Sequence, residues 1–441
     1  MTNLPLALRL TLLLSLTTAA GAAFAAGNNA PSQPGVDAPE LAPLGQFDVG
    51  VKTVVLVDRD QWDLRTYDPK MGAVPRRDRV LTVDIWYPAK IAARALRETY
   101  SATLPAEPPA GAVRFTVPGM AVRNARAAGS RFPLVIVSHG FHNATAGMSW
   151  LTENLASKGY VVAAIRHEDL GYADPKGFPH ALLRRPLDIA FVAGELQRTL
   201  AAVGQIDPAR TALIGYSMGG YGVLTAAGGV LQPQGAVPKL IPSTIVESYV
   251  RGGALSASLR VSGVKAVVAI APAGGSLAAW GQDGLGAITA PLLLIAGDVD
   301  RTVDYQSGAR AFFDMATNSH RYLLTFKGGG HALGLGPVPP EMKHSLWDHD
   351  WFEDPVWRKE RIISISLHMI TAFLDRHVKD DASRDAYLNV AVAESSQARW
   401  PTTAAAPYDA YSPGTADITV WKGFQRGHAE GLELLQAKAA P

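Results

Sequence analysis

The segment GYSMGG, residues 215–220, places a serine with a glycine two positions away on either side. A serine lifted above a sheet edge on a sharp strand-to-helix turn needs neighbours without bulk. The apolar run 211–216 predicts a strand before it and the residues from Met218 predict a helix after it, so Ser217 is the candidate nucleophile. No Lys-Ser or Lys-Thr closes the segment, which excludes a phosphate loop. A serine hydroxyl is a weak nucleophile at neutral pH and needs a base that is itself oriented by a carboxylate. Where the serine leads from such a turn, the acid and then the histidine follow it in the chain. Of the eleven histidines, His331 in KGGGHALG comes directly after the last strand pattern, where a loop can return its ring over the sheet edge. The preceding strand ends in LLLIAGDVDRTVD and offers both Asp298 and Asp300. Asp300 lies far enough past the strand end to turn toward His331 and is favoured. Asp298 then reads as a turn holder and Asp304 as a helix N-cap. A tetrahedral acyl intermediate also needs two N–H donors. Met218, first in its helix, supplies one; the amide of Phe141, after the tight His139-Gly140 turn, is the expected other. The chemistry so assembled is acyl transfer through a serine, with no cofactor and no metal. His139 and His142 have H-x-x-H spacing but lie on a loop without a third clustered ligand, so they read as braces of that loop. His167-Glu168-Asp169 and His344, His349 and Asp350 read the same way. Glycines 328–330 do not open a helix after a first strand, which excludes a dinucleotide site.

The elements that must position these residues alternate strand and helix. Two early β-rich runs, 51–57 and 80–87, form an antiparallel hairpin. Continuous apolar strands follow, the first in the run 132–141 and the others at 160–165, 211–216, 264–271, 291–297 and 322–327, with helical patterns near 146–158, 187–203, 218 onward, 305–316 and 357–377. Uninterrupted apolar strands are buried on both faces by crossover helices, so the reading is one doubly wound, mostly parallel α/β sheet. Two stretches break the rhythm: 88–131, and 229–262, which sits where an insertion becomes a lid. Tyr172, Trp280 and the apolar part of 229–262 are candidate pocket residues for an uncharged acyl or aryl group.

The 441 residues are 48% apolar and 18% charged, which supports a large core and excludes a disordered chain. A net charge of +2 without a basic run excludes a nucleic-acid binder of the phosphate-neutralising kind. With no cysteine, a thiol nucleophile, a disulfide and a thiolate metal site are all excluded. At the start, Arg9, the apolar run 10–16 and Ala23-Phe24-Ala25 form a secretory signal with cleavage after Ala25. The expected organisation is a signal peptide at 1–25, a flexible lead-in at 26–44, a catalytic domain at 45–380 and a C-terminal tail at 381–441 packed on it. The location is a bacterial periplasm or the medium, with no membrane span once the signal is removed.

VDIWYP, FPLVIVSHGF, LASKGYVVAAIRHED, RRPLDI, GYSMGG, GDVD and GGGH together resemble the α/β-hydrolase superfamily, in particular its dienelactone-hydrolase-like and platelet-activating-factor-acetylhydrolase-like branch. The resemblance runs over roughly residues 50–377. It implies a serine esterase with Ser217, Asp300 and His331 as triad and the Phe141 and Met218 amides as oxyanion hole. Two departures stand out: dienelactone hydrolases use a cysteine, and the acetylhydrolases place their acid after the strand that here ends AIAPAGG, without a carboxylate. An aromatic beside the oxyanion turn and Met after the serine are also similar to bacterial cutinases, which implies small-molecule esters or bulky aryl and polymeric ones. An acyltransferase, a thioesterase, a peptidase or an inactive exported binding protein would share the fold.

Overall fold

The computed structural model describes residues 34–440 apart from 69, 71, 106–110, 172–173, 203, 251, 344–345 and 401–417. The signal segment 1–25 and the pocket candidate Tyr172 therefore lie outside the described residues. The chain opens with two long strands, β1 (Asp48–Trp62) and β2 (Arg76–Lys90), paired antiparallel as the early runs predict. A two-stranded sheet of β3 (Thr99–Pro105) and β4 (Ala112–Pro118) and the short β5 (Val122–Arg123) and β6 (Arg126–Ala127) fill the first interruption.

From β7 (Phe132–Ser138) the winding is regular: α1 (Ser149–Ser157), β8 (Val161–Arg166), α2 (Gly177–Ala202), β9 (Ile206–Tyr216) and α3 (Met218–Ala226). Two short helices, α4 (Val237–Leu240) and α5 (Ser243–Tyr249), lead to β10 (Val264–Ile270), α6 (Gln282–Gly286), β11 (Leu292–Gly297), α7 (Ala311–Met315) and β12 (Arg321–Phe326). After α8 (Leu346–Phe352) come α9 (Lys359–Val378), α10 (Asp385–Leu388) and β13 (Leu432–Ala437). The main sheet runs β13-β12-β11-β10-β9-β7-β8-β2-β1-β5, parallel from β8 to β12, antiparallel where β13 and β2 join it and between β2 and β1, with the short β5 parallel to β1.

Alternate residues of each strand feed two separate cores. Along β9, Ala212, Ile214 and Tyr216 join Ile363, Ile370 and Phe373 of α9, whereas Leu213 joins Leu183, Ile189 and Val192 of α2 on the other face. Successive strand side chains point to opposite faces, which is why both sides of each strand had to be apolar. The chain leaves β7 for β8 on one side and returns to β9 on the other, and a crevice opens at the carboxyl ends where the winding direction reverses.

Three expectations change. Helix α2 begins at Gly177 and runs through Pro186, although proline ordinarily marks a boundary. The buried Leu182, Leu183, Arg184 and Arg185 ahead of the proline hold that turn in place. Segment 229–262 packs away from the crevice, with the Tyr249 hydroxyl donating to the Leu183 carbonyl of α2 and Leu231 bridging to Trp280. The segment 381–441 is more than a covering tail, because β13 completes the sheet edge beside β12, with Leu432 and Leu434 buried in the α9 core. Trp421 and Phe424 close the same core. Truncating Leu434 to Ala is expected to cost about 2–5 kcal/mol in a single cooperative urea transition. A separate early transition with the main one unmoved would show that β13 is not part of the cooperative fold.

Candidate active site

Ser217 sits between β9 and α3 at φ 53° and ψ −115°, a conformation that costs a non-glycine residue about 1–3 kcal/mol. The surroundings hold it there. Its N–H donates to the Ile270 carbonyl at 2.9 Å, and its carbonyl accepts from Tyr221 N at 3.1 Å and Ala273 N at 3.0 Å. A β-carbon on Gly215 would lie 2.1 Å from the Gly219 carbonyl oxygen, and one on Gly219 would lie 2.0 Å from the Ser138 carbonyl oxygen. Both glycines are therefore fixed by close backbone approach.

His331 Nε2 lies 3.0 Å from Ser217 Oγ, and its Nδ1 lies 2.7 Å from Asp300 Oδ2. The Asp300 carboxylate oxygen is the acceptor in this pair, so Nδ1 carries the proton and Nε2 is left to accept from the serine hydroxyl. The other oxygen of Asp300 accepts from Thr302 N at 2.8 Å and Val303 N at 3.1 Å, which fixes the carboxylate plane. Asp298 does not reach the histidine; it accepts from Gly328 N at 2.6 Å and ties the end of β11 to the loop that carries His331. Asp304 accepts from Ser307 N at 2.7 Å.

Several further groups support the histidine. The Tyr216 ring lies 5.3 Å from the His331 ring, and its hydroxyl donates to the His331 carbonyl at 3.1 Å. Asp354 accepts from Gly330 N at 2.6 Å, and Lys359 Nζ donates to the Ala332 carbonyl. Lys359 is buried at the start of α9, and burial pushes its pKa down to about 8. Trp351, on the same excursion, stands 6.3 Å from the His331 ring. The run WDHDWFEDPVW, 347–357, carried the signal as a cluster of tryptophans and carboxylates soon after the histidine.

A cavity of 230 Å³ opens over Ser217, walled by Phe141, Phe178, Met218, Leu277, Val303 and Trp351, with Asp174, Ser276 and Thr302 as its polar members. Phe141 and Phe178 meet edge to face at 5.7 Å. Trp280, a pocket candidate from the sequence, is instead core: it is 3% exposed and packs between Tyr221 at 5.3 Å and Phe312 at 5.2 Å. Its apolar neighbours needed a large ring there, and the cavity wall comes from the residues just before it. No described residue of 229–262 lines the cavity.

The amide of Met218 opens α3, where the first-turn N–H groups lack intrahelical acceptors. The loop bearing Phe141 rests on a buried network. His139 Nδ1 donates to the Gly140 carbonyl at 2.7 Å while its Nε2 accepts from His167 N at 3.2 Å. His142 N donates to Asp169 at 3.0 Å. His167 Nε2 accepts from the Ser138 hydroxyl at 3.0 Å, and its Nδ1 donates to Asp188 at 3.2 Å. Among the described residues no group of three or more metal-ligating side chains is arranged to hold an ion. Burial, with Arg185 beside it, holds His167 down to about 3 from 6.5. Burial, Arg185 and His167 hold His139 well below its usual range.

The parallel sheet, its reversal point and the strained turn after β9 are those of an α/β-hydrolase. Two family models match the chain: PET hydrolase-like over residues 118–242, and platelet-activating factor acetylhydrolase, isoform II, over residues 40–174. The chain is a carboxylic ester hydrolase. Among solved structures, a ferulic acid esterase from Streptomyces cinnamoneus matches with 21% identity and a TM-score of 0.49, over 78% of this chain and 94% of that one. No curated protein matches the chain in sequence. No helix among the described residues is long and apolar enough to cross a membrane.

The neutral buried histidines set a direction for acid stability. Unfolded, His167 takes up a proton near pH 6.5; folded, it resists until about 3. Its contribution is present above pH 6.5 and is lost as pH falls toward 3, by about 1.4 kcal/mol per pH unit. The melting temperature is expected to fall steadily between pH 7 and pH 4.5 in differential scanning calorimetry. A flat profile would contradict the neutral, proton-resisting state of this histidine.

Proposed function

We propose that the protein is an exported esterase that cleaves neutral aryl or otherwise bulky carboxylic esters through an acyl-enzyme on Ser217. The observation that carries this reading is the unbroken chain from Asp300 through His331 to Ser217, at 2.7 and 3.0 Å, at the floor of an apolar cavity. Ser217 Oγ attacks the acyl carbon as its proton passes to His331 Nε2, and Asp300 stabilises the imidazolium. The amides of Met218 and Phe141 receive the negative oxygen. The imidazolium then gives its proton to the leaving alcohol as the ester C–O bond breaks. Water repeats the cycle: its proton goes to His331, its oxygen joins the acyl carbon, and Ser217 departs with the proton returned.

Phe141, Phe178, Leu277 and Trp351 favour an uncharged, flat or bulky group, and Asp174 at the cavity disfavours an anionic one. The PET hydrolase-like model, which covers the oxyanion loop and the nucleophile, supports aryl and polymeric esters as the substrates to test first. Export rests on the leader ending at Ala23-Phe24-Ala25, and a mature N-terminus at Ala26 is expected when secreted or periplasmic protein is sequenced.

Ser217→Ala is expected to abolish turnover of 4-nitrophenyl butyrate and labelling by a fluorophosphonate, with an unchanged melting temperature; retained turnover would overturn the nucleophile. Asp300→Asn should lower kcat by about 10⁴, whereas Asp298→Asn should act mainly on stability. Steady-state kinetics of the two variants side by side decide which carboxylate orients the histidine.

A further inference from the structure

The loop between β7 and α1 lies against a fully buried cation that the hydrolytic steps do not use. Arg185, from the proline-containing turn of α2, is 1% exposed. Its Nη1 donates to the His139 carbonyl and, at 3.3 Å, to Ser138 Oγ; its Nη2 donates to the Gly140 carbonyl at 3.2 Å and to Asp169. Asp169 in turn accepts the amide of His142. One guanidinium thus holds two consecutive carbonyls of the turn, and its own counter-ion holds the far side.

We propose that Arg185 is a positioning residue for ester cleavage, which anchors the His139 and Gly140 carbonyls behind the turn and thereby aims the Phe141 amide at the oxyanion. The inference rests on the assignment of that amide as an oxyanion donor. The link is the planarity of the peptide unit. In a trans peptide the C=O and N–H point in opposite directions, and the Gly140 carbonyl shares its plane with the Phe141 N–H. Both Arg185 and the His139 ring donate to that carbonyl, at 3.2 and 2.7 Å. With the oxygen held toward the guanidinium, the N–H is directed the other way, toward the side of the loop where Phe141 and Ser217 line the cavity.

The His139 carbonyl also bears on the distance between the two donors. The Cα of Gly219, one residue after Met218, approaches the loop so closely that a β-carbon would meet the Ser138 and His139 carbonyl oxygens at 2.0 and 2.8 Å. Arg185 therefore holds from behind the strip of backbone on which the serine turn rests in front. An arginine suits the task because its planar fork reaches two acceptors at once, which the point charge of a lysine does not. The chain Ser138–His167–Asp188 copies a triad in its spacing, but Ser138 is 0% exposed and meets no substrate; its hydroxyl is a further stop for Arg185.

The test replaces Arg185 by Met together with Asp169→Asn, so that no unpaired carboxylate is left buried, and compares it with Arg185→Lys alone. The ester is 4-nitrophenyl butyrate, and the second readout is the inhibition constant of phenylboronic acid, which forms a tetrahedral anionic adduct on a reactive serine. In the double variant kcat is expected to fall about 10²-fold, the loss typical of one oxyanion donor, with KM within about threefold. The boronate should weaken by a factor similar to the loss in kcat, because both depend on the tetrahedral anion. Arg185→Lys should recover part of the kcat and serves alone if the double variant fails to fold. A folded variant with unchanged kcat, or one whose boronate affinity is unchanged while kcat falls, overturns the proposal. Activity retained by Ser217→Ala would instead overturn the serine acyl-enzyme reading on which the oxyanion role of the Phe141 amide itself depends, so that failure is distinguishable from the failure of the role given to Arg185.

Discussion

The turn that carries Ser217 lies backbone to backbone against the end of β7, with no room for a β-carbon between Gly219 and the Ser138 carbonyl. This approach joins two neighbouring strands at the point where the winding reverses, and it sets where the serine, the opening of α3 and the Phe141 loop stand relative to one another. The strained dihedrals of Ser217 persist because hydrogen bonds from β10, α3 and the loop after β10 over-determine them. The histidine reaches this point from the far side of the parallel sheet. Its loop is braced by Asp298 below and by Asp354 and Lys359 above, so the imidazole is presented by backbone ties as well as by Asp300.

Beneath the turn that carries Phe141 the protein tolerates an expensive arrangement. Arg79, Arg184 and Arg185 are all buried, against the carboxylates of Asp188, Asp169 and the partly exposed Asp58. Desolvation of such ions is costly unless nearly every charge is paired and hydrogen-bonded. Burial alone would push the Asp188 carboxyl up, but Arg79 and Arg184 more than offset it and hold it well below the usual range. The two bonds of 2.7 Å from Arg79 join β2 to α2 across β8, and the neutral His167 joins Asp188 to β7. A purely apolar layer would bury the same surface, but it would not fix which carbonyls of the loop face inward.

The doubly wound sheet was legible because its central strands are buried on both faces and carry uninterrupted apolar runs. The positions of Ser217, Asp300 and His331 were legible because a turn, two strand ends and a chain order constrain them locally. What escaped has non-local causes. The edge strand β13 is short and alternates only weakly, LELLQA, and gains its identity from β12 more than a hundred residues earlier. Whether an apolar ring is core or cavity wall depends on its partners: Trp280 and Trp351 look alike in sequence, yet one is enclosed by Tyr221 and Phe312 and the other lines the space over Ser217. The 229–262 excursion has a lid's place in the chain, but Tyr249 and Leu231 anchor it elsewhere. Helix α2 crosses a proline that local preference treats as a stop, because tertiary packing holds the turn before it.

The closing strand also gives the fold a temporal order. The strand β12 is complete at Phe326, yet one of its edges is covered by residues 432–437, more than a hundred residues later in the chain. Until they arrive, a row of unpaired backbone groups stands open along a strand that carries Tyr322, Leu323, Leu324 and Phe326, an arrangement prone to pair with a second chain. Such a long-range closure is slow relative to the local β-α-β steps. The sheet thus stays open to aggregation at the edge of β12 from the time that strand forms until the segment 432–437 has been made and has docked.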